Sequence, residues 1–398
     1  MVSRDAHPNT NRILGLRLAT LARFISQQSV STAVGVLLVW LIFYLANERF
    51  LSSVNLTNLI LQIAAVGTIS IGANLLLLIG EIDLSIGIVS GLSAAVMAVL
   101  NVRYHVPALP AVTMGIATGA FTGLVTGALV TTFRIPSFIV SLGGLLAWQG
   151  VLLRVIGSLG TINIRDPHVT LLAGSFVSQA TGAAIEFVTL GAYSVLVLWE
   201  EGKRRRAGLR TAGVGFVILR IAILAVLGAA SILVFGADRG VPVAFLIFIG
   251  LVIATETLCR RTVFGRQIFA VGGNQEAAHR AGIRVQRVRV LVFVIAAAMA
   301  AVGGILAAAR LQAASQASGG GDVLLQAIAA AVIGGTSLFG GRGTIWAALL
   351  GSLLIGSISN GMDLLDFDSA IKYMVTGSVL VLAVVIDAGA RGNWRKRN

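Results

Sequence analysis

The chain has 398 residues, of which 57% are hydrophobic and only 12% are charged, and its mean hydropathy is +0.92. A soluble protein of this length exposes too much surface to cover with so few charges, so the composition excludes a soluble globular protein. It predicts an all-α polytopic membrane protein. The net charge of +14 could suggest a nucleic-acid partner, but basic loops on the inner side of a membrane explain it better, so we expect no nucleic acid.

Residues 1–30 contain four Arg residues and no short apolar core with a cleavage site, so they predict a cytoplasmic N-terminal segment, not a signal peptide. A transmembrane domain over 31–387 contains twelve apolar runs, each near the roughly 20 residues that cross the hydrocarbon. These runs cover about 31–47, 57–79, 84–100, 107–132, 135–157, 183–199, 212–235, 241–258, 290–309, 323–339, 344–361 and 371–387. The run at 183–199 is weak and either crosses or lies at the interface. Residues 158–185 are predicted to lie outside the bilayer, and 388–398 to form a basic tail.

The distribution of basic residues predicts the orientation. Twelve spans place both termini on one side, and with that side inside, inner segments hold 22 of the 30 Lys and Arg residues while outer segments hold seven. Arg220 lies within a span. Because cytoplasmic loops carry the excess of Lys and Arg, both termini and the loop 260–289 are predicted to be cytoplasmic.

The loop 260–289 carries seven Arg residues and a short helix signal. Asn274 can act as N-cap, Glu276 lies in the first turn where the helix dipole favours an anion, and Gly282 can end the helix. A solvated loop does not need a capped helix, so we interpret this one as a surface presented to a partner.

Glycines predict how the helices pack and where they break. Gly115, Gly119, Gly123 and Gly127 recur every four residues, which places them on one helix face and allows close packing. The Gly-rich runs at 318–322 and 334–344 suggest interrupted helices, tolerated only where the backbone lines a cavity or is buried in protein. The sequence does not decide between these two roles, a cavity lining and burial in protein.

Carboxylates at membrane depth are costly and usually have a reason. Asp83 either caps the following helix, with Ser85 close by, or lines a polar path. Glu81 either pairs with an Arg or lines that path, and Glu256 is expected to extend towards the inner membrane surface. Further candidates for lining a path for a polyhydroxyl solute are Asn74, Gln149 and Asn360.

The sequence lacks the common catalytic and metal-binding motifs. None of its three Lys residues lies in a P-loop, and it contains no His-Glu-x-x-His, no Gly-x-Ser-x-Gly and no Cys–His couple. The single Cys259 excludes a disulfide framework, and the four His residues have no spacing suited to a metal. We therefore predict no catalytic residue, no metal and no cofactor, and a protein that is not an enzyme.

Residues Glu276, Ala277 and Ala278, followed by Gly282, resemble the coupling motif of ABC importer permeases. The segments EIDLSIG at 81–87, IPSFIVSLGGLLAWQG at 135–150 and AAVIGGTSLFGGRGT at 330–344 are similar to the sugar permease branch of that family, which includes ribose, arabinose and xylose members. Two features resemble its xylose-type members. Glu81 stands where ribose-type permeases usually have Gly, and 183–235 resembles the added hairpin of the xylose type.

The resemblance implies a permease subunit in a bacterial inner membrane, surrounded by lipid. It implies a second permease copy, a cytoplasmic ABC ATPase that hydrolyses ATP, and a periplasmic sugar-binding protein that delivers the sugar, with D-xylose as the expected substrate. The coupling residues it implies are Gly272, Gly273, Asn274, Glu276, Ala277, Ala278 and Gly282. Among these, Ala277 and Ala278 are expected to form together the small surface that fits a cleft of the ATPase. Two alternatives remain from the sequence: an ion-coupled secondary sugar transporter, and the same ABC assembly carrying another pentose or hexose.

Overall fold

The computed structural model describes residues 28–208 and 214–395. Of the predicted segments, the N-terminal one lies almost entirely outside the described residues. The tail lies partly outside them, as does the basic stretch 203–210, which the sequence predicts as the cytoplasmic loop of the 183–235 hairpin. Within the described part the chain forms fifteen α-helices, one 3-10 helix at Glu48–Leu51 and four very short β-strands.

Each of the twelve predicted apolar runs overlaps one α-helix. These helices are α1 (Gln28–Ala46), α2 (Ser53–Leu78), α3 (Ile86–Val102), α4 (Ala108–Phe133), α5 (Ser137–Ile156), α7 (Gln179–Arg206), α8 (Val214–Gly236), α9 (Val243–Arg261), α12 (Val285–Leu311), α13 (Val323–Ile333), α14 (Trp346–Leu364) and α15 (Ser369–Arg395). The other three are α6 (Pro167–Gly174), α10 (Val263–Gly273) and α11 (Gln275–Arg280).

By length and composition, eight helices in the described part can cross a membrane: α2, α4, α5, α7, α8, α9, α12 and α14. Four shorter apolar helices accompany them: α1, α3, α13 and α15. The predicted span 323–339 is wrong in its extent, because α13 ends at Ile333. At 1.5 Å per residue α13 is about 16 Å long, roughly half the hydrocarbon thickness. The Gly-rich run 334–344 interrupts the helix there, as predicted.

Two more boundaries differ from the predictions. Helix α7 begins at Gln179 instead of near 183, so it takes in part of the segment expected outside the bilayer. Helix α15 continues to Arg395, so residues 388–395 of the predicted tail are helical and continuous with the last apolar run.

Helix α2 lies at the centre of the bundle. Its most apolar 18-residue window is 83% buried, whereas the corresponding windows of α7 and α8 are only 6% buried. Helix α12 packs against α2, α3 and α4, and α14 packs against α13, α2 and α1. The α7–α8 hairpin therefore lies at the periphery, where its apolar faces suit lipid.

The four-residue glycine stripe of α4 packs against α12. Gly115, Gly119, Gly123 and Gly127 are all buried. A Cβ atom at Gly123 would lie 2.4 Å from the carbonyl oxygen of Phe293 and 2.7 Å from Ala297 Cβ. The two backbones therefore approach more closely than any side chain at this position would allow, which is the packing that small residues permit in membranes.

The segment between α5 and α7 folds against the ends of α3 and α12. Strand β1 (Thr161–Asn163) pairs antiparallel with β4 (Ala313–Ser315), with Thr161 opposite Ser315. Strand β2 (Phe176–Val177) pairs with β3 (Val241–Pro242). Asp166 caps α6 by accepting from the N–H of His168, and its carboxylate also accepts from Asn101 Nδ2 at 2.7 Å. These contacts anchor the segment to the end of α3 that is remote from Glu81.

The contact between α4 and α12 predicts a stability difference between two glycines. We expect Gly123→Ala to destabilise the protein by about 1–3 kcal/mol, because the added methyl group overpacks a rigid backbone contact. Gly143→Ala on α5 is the matched control, since nothing lies within 4 Å of a Cβ atom there. Thermal unfolding and the yield of monodisperse protein in detergent measure the difference. Equal stability of the two variants would contradict this packing.

Candidate functional site

The short helix α11 has the caps that the sequence predicted. The side chain of Asn274 accepts a hydrogen bond from the N–H of Ala277 at 2.9 Å, so Asn274 is the N-cap. Gly282 has φ +83°, and the N–H of the next residue, Ile283, donates to the carbonyl of Ala278 at 3.1 Å. That left-handed glycine with its backward hydrogen bond is the usual way to end a helix.

One face of α11 is exposed and the other is buried against the protein. Glu276 and Arg280 form an ion pair at 3.1 Å, with side chains 72% and 77% exposed, and Ala277 is also exposed. Ala278 is buried, which corrects the expectation that both alanines form the presented surface. Its methyl group joins the apolar core and anchors the helix, while Glu276 and Ala277 face outward.

The segment before α11 contacts the end of α2. At Gly272, a Cβ atom would lie 1.8 Å from the carbonyl oxygen of Leu78 and 2.7 Å from Gly341 N. The N–H of Gly341 donates to the same Leu78 carbonyl at 2.9 Å. The predicted coupling segment, the last turn of α2 and the Gly-rich run 334–344 therefore meet at one point. Gly273, by contrast, has open space where a side chain would be.

The Gly-rich run 334–344 is held by side chains from other helices. Asn74, fully buried in α2, donates to the carbonyl of Thr344 at 2.9 Å and accepts from the Thr336 hydroxyl at 2.8 Å. Asn74 thus stabilises irregular backbone. The sequence left open whether this run lines a cavity or is buried in protein. The contacts described here are those of backbone buried in protein.

Glu256 is the second group that holds this run. Its carboxylate accepts from the N–H of Ile345 at 2.8 Å and from the Thr344 hydroxyl at 3.1 Å. Arg260, one turn later, contacts Glu256 at 3.1 Å and donates to the carbonyl of Gly343 at 2.7 Å. The carboxylate satisfies the start of α14, where the helix dipole favours an anion. The expectation that Glu256 extends towards the inner membrane surface stays a prediction.

A second break separates α2 from α3 at residues 79–85. The hydroxyl of Ser141 accepts from the N–H of Leu84 at 3.0 Å, and that of Ser137 accepts from the N–H of Ile82 at 3.3 Å. Asp83 is buried and accepts from both the N–H and the hydroxyl of Ser85, at 2.7 and 2.6 Å. The N-cap of α3 is Ser85, so Asp83 supports the start of the helix without being its N-cap residue.

Glu81, in the same break, forms an ion pair with Arg289. Oε1 of Glu81 lies 2.5 Å from an Nη of Arg289, and the two side chains are only 8% and 16% exposed. Of the two readings for Glu81, pairing with an Arg describes its contact here. Arg289 lies one turn into α12, the helix that follows α11.

The remaining path candidates bind other elements. Asn360 on α14 and Asn55 on α2 exchange amide hydrogen bonds of 2.8 and 3.1 Å. Gln149 on α5 donates to the carbonyl of Gln316 at 3.3 Å. Glu81, Asp83 and Asn74 lie near the coupling segment, whereas Asn360 lies near the opposite end of α2, so these candidates do not form one cluster.

Sequence reasoning missed the partners of these groups. Arg289 is one of seven Arg residues in the loop 260–289, and Ser137 and Ser141 lie within the segment 135–150. Nothing in the sequence distinguishes these three residues from their neighbours. The four-residue spacing of Glu256 and Arg260 was the one local signal, because that spacing places both on one helix face. Within residues 28–208 and 214–395, no cluster of three or more His, Cys, Asp or Glu residues suits a metal ion.

Comparison with known proteins assigns the family. The family described as branched-chain amino acid transport system / permease component matches residues 55–384. The xylose transport system permease protein of Escherichia coli K12 is 33% identical over 387 residues, covering 97% of this chain and 96% of the relative. The ribose import permease protein of Bacillus subtilis is 29% identical, covering 90% and 92%. The L-arabinose ABC transporter permease protein of Azospirillum brasilense is 29% identical, covering 91% and 89%.

No solved structure matches the chain. The family match covers most of the sequence, and the relatives align along nearly their whole length. The chain therefore belongs to the permease family of ABC importers, in the branch of the sugar permeases, and is a multi-pass protein of the inner membrane.

Proposed function

We propose that this chain is the membrane-spanning subunit of an ATP-driven D-xylose importer. A periplasmic binding protein delivers the sugar, and a cytoplasmic ABC ATPase supplies the energy. The observation that carries the proposal is the capped helix α11, which presents Glu276 and Ala277 outward within a segment that resembles the coupling motif of ABC importers.

Two features support a contact with an ATPase: the sequence contains no P-loop, and one face of helix α11 is exposed. Because the chain has no P-loop, ATP hydrolysis must occur on another protein. Helix α11 is too short to be stable alone, so its caps and the buried Ala278 hold it ready for a partner. The residues Gly272, Gly273, Asn274, Glu276, Ala277, Ala278 and Gly282 form the proposed coupling segment, with Gly272 and Ala278 as its anchors.

The substrate proposal rests on similarity along the whole chain. The relatives named for xylose reach 33% identity, whereas those named for fructose, ribose, L-arabinose and D-allose reach 28–29%. The α7–α8 hairpin and Glu81 are the two features that resemble xylose-type permeases. Another pentose or hexose remains the alternative cargo.

We also propose that all twelve apolar helices belong to a membrane domain with both termini in the cytoplasm. The charge bias supports this orientation. Following the chain through the helices then places Glu81, Arg289, Glu256 and α11 on the cytoplasmic side, and the Lys372–Asp363 ion pair on the outer side. A second copy of the chain completes the channel. The exposed apolar side chains of α5, such as Phe138 and Leu142, suit either that copy or lipid.

Substitutions in α11 are expected to uncouple transport from ATP. Glu276→Arg reverses an exposed charge at the start of the helix, and Gly282→Val places a β-branched residue at φ +83°, where it is strained. Both leave the membrane core untouched. Coupling between two sites commonly changes a binding equilibrium by about 5- to 150-fold. We therefore expect sugar uptake to fall about tenfold while the protein remains inserted in the membrane.

Glu200→Arg is the matched control, because it makes the same charge change on an exposed side chain at the cytoplasmic end of α7. Uptake of labelled sugar and protein level in the membrane are measured together for all three variants. Normal uptake by Glu276→Arg or Gly282→Val, at normal protein level, would show that α11 is not the coupling contact.

Uptake of labelled D-xylose tests the function directly. Cells with and without this chain are compared, with unlabelled ribose, arabinose and glucose as competitors and with a proton uncoupler under conditions that preserve ATP. We expect loss of uncoupler-resistant xylose uptake in the deletion strain. Uptake abolished by the uncoupler would instead support a secondary transporter. Normal xylose uptake with loss of a competitor's uptake would assign another cargo.

A further inference from the structure

Two contacts connect the proposed coupling helix to the same break in the bundle. Upstream of α11, Gly272 packs directly on the carbonyl oxygen of Leu78. Downstream of α11, Arg289 on α12 pairs with Glu81. Residues 78 and 81 flank the left-handed Gly80, at φ +76°, where α2 ends. Both flanks of α11 therefore contact one short stretch of irregular backbone.

The Glu81–Arg289 contact is poorly suited to a purely stabilising role. Both charges are nearly withdrawn from water, and burying an ion pair costs about as much as the attraction returns unless further hydrogen bonds complete it. Here they do not. Arg289 Nε is buried and has no hydrogen-bond partner among the described residues. One Nη of the guanidinium thus binds Glu81, while its Nε–H group has no acceptor in the part of the chain that the structure describes. A small movement of Arg289 can therefore exchange the present contact for one that uses this free donor.

The break can also transmit a displacement. The N–H of Glu81 donates to the carbonyl of Leu76 at 2.9 Å, and the next residues are hydrogen-bonded to Ser137 and Ser141 on α5. Asp83 and Ser85 then begin α3. A pull on Glu81 therefore acts on α2, α3 and α5 together, while α12, which carries Arg289, is a rigid element that starts four residues before it.

We propose that the Glu81–Arg289 ion pair is a positioning pair that passes the displacement of α11 to the break between α2 and α3. It acts through the backbone of residues 79–85 and does not itself contact sugar or ATP. This assignment rests on the proposed function, since it requires an ATPase that moves α11.

The test replaces the ion pair by apolar side chains of similar size, Glu81→Leu with Arg289→Met. Such replacements of buried pairs are often tolerated in folding, because they remove both charges at once. Purified permease, reconstituted with its ATPase and binding protein, is assayed for sugar transported per ATP hydrolysed, and its thermal stability is measured in parallel. We expect a folded protein that hydrolyses ATP but transports about tenfold less sugar per ATP.

The matched control is Asp363→Leu with Lys372→Met, which removes an ion pair of the same 2.5 Å length at the opposite end of the bundle and is expected to keep the wild-type ratio. Glu81→Gln keeps the size and one hydrogen bond and should give an intermediate ratio. A wild-type ratio in the folded apolar pair, or in Glu81→Gln if the apolar pair does not fold, would overturn the proposal. Absence of ATP-dependent uptake by the unaltered protein would instead refute the proposed function itself.

Discussion

The structure depends on satisfying backbone hydrogen bonds where helices are broken inside an apolar bundle. In hydrocarbon no water can pair a free N–H or carbonyl group, so irregular backbone persists only where protein groups replace the water. The breaks at 79–85 and 334–344 meet this requirement with side chains from other helices. Ser137 and Ser141 serve the first break, and Asn74 and Glu256 serve the second. Asn74, which the sequence offered as a candidate for lining a solute path, therefore supports irregular backbone here.

Close helix packing is the complementary constraint. Hydrophobic burial adds little between helices in lipid, so association depends on tight van der Waals contact and on interhelical hydrogen bonds. The glycine stripe of α4 lets it approach the backbone of α12 near Phe293, and Gly272 does the same at Leu78. Helix α12 is thus fixed along its length by α4 and linked at its start to Glu81. A rigid helix held in this way can carry a displacement from its end into the bundle.

Local rules made part of this architecture predictable. The caps Asn274 and Gly282 follow from the residues within one short segment, and the twelve apolar runs follow from hydropathy alone. The orientation of Ala278 was not predictable, because either face of a six-residue helix could be buried. Nor could the sequence pair Glu81 with Arg289, or Glu256 with Thr344, since these partners are distant in the chain and meet only after the helices pack. The glycines at 334 and 335 indicated that α13 ends early. The apolar run continues to residue 339, however, so hydropathy alone predicted a helix that is too long.

The two breaks are not independent of each other. The carbonyl of Leu78 accepts from Gly341 of the Gly-rich run and is covered by Gly272 of the proposed coupling segment. A shift of the segment before α11 must therefore act on both breaks, while a shift after α11 acts on the first through Arg289. Six residues of α11 can in this way influence α2, α3, α5 and α14, because the places where those helices begin or end converge beside it. On the proposed function, a partner that contacts only this small exposed helix would act on all of these helix ends at once.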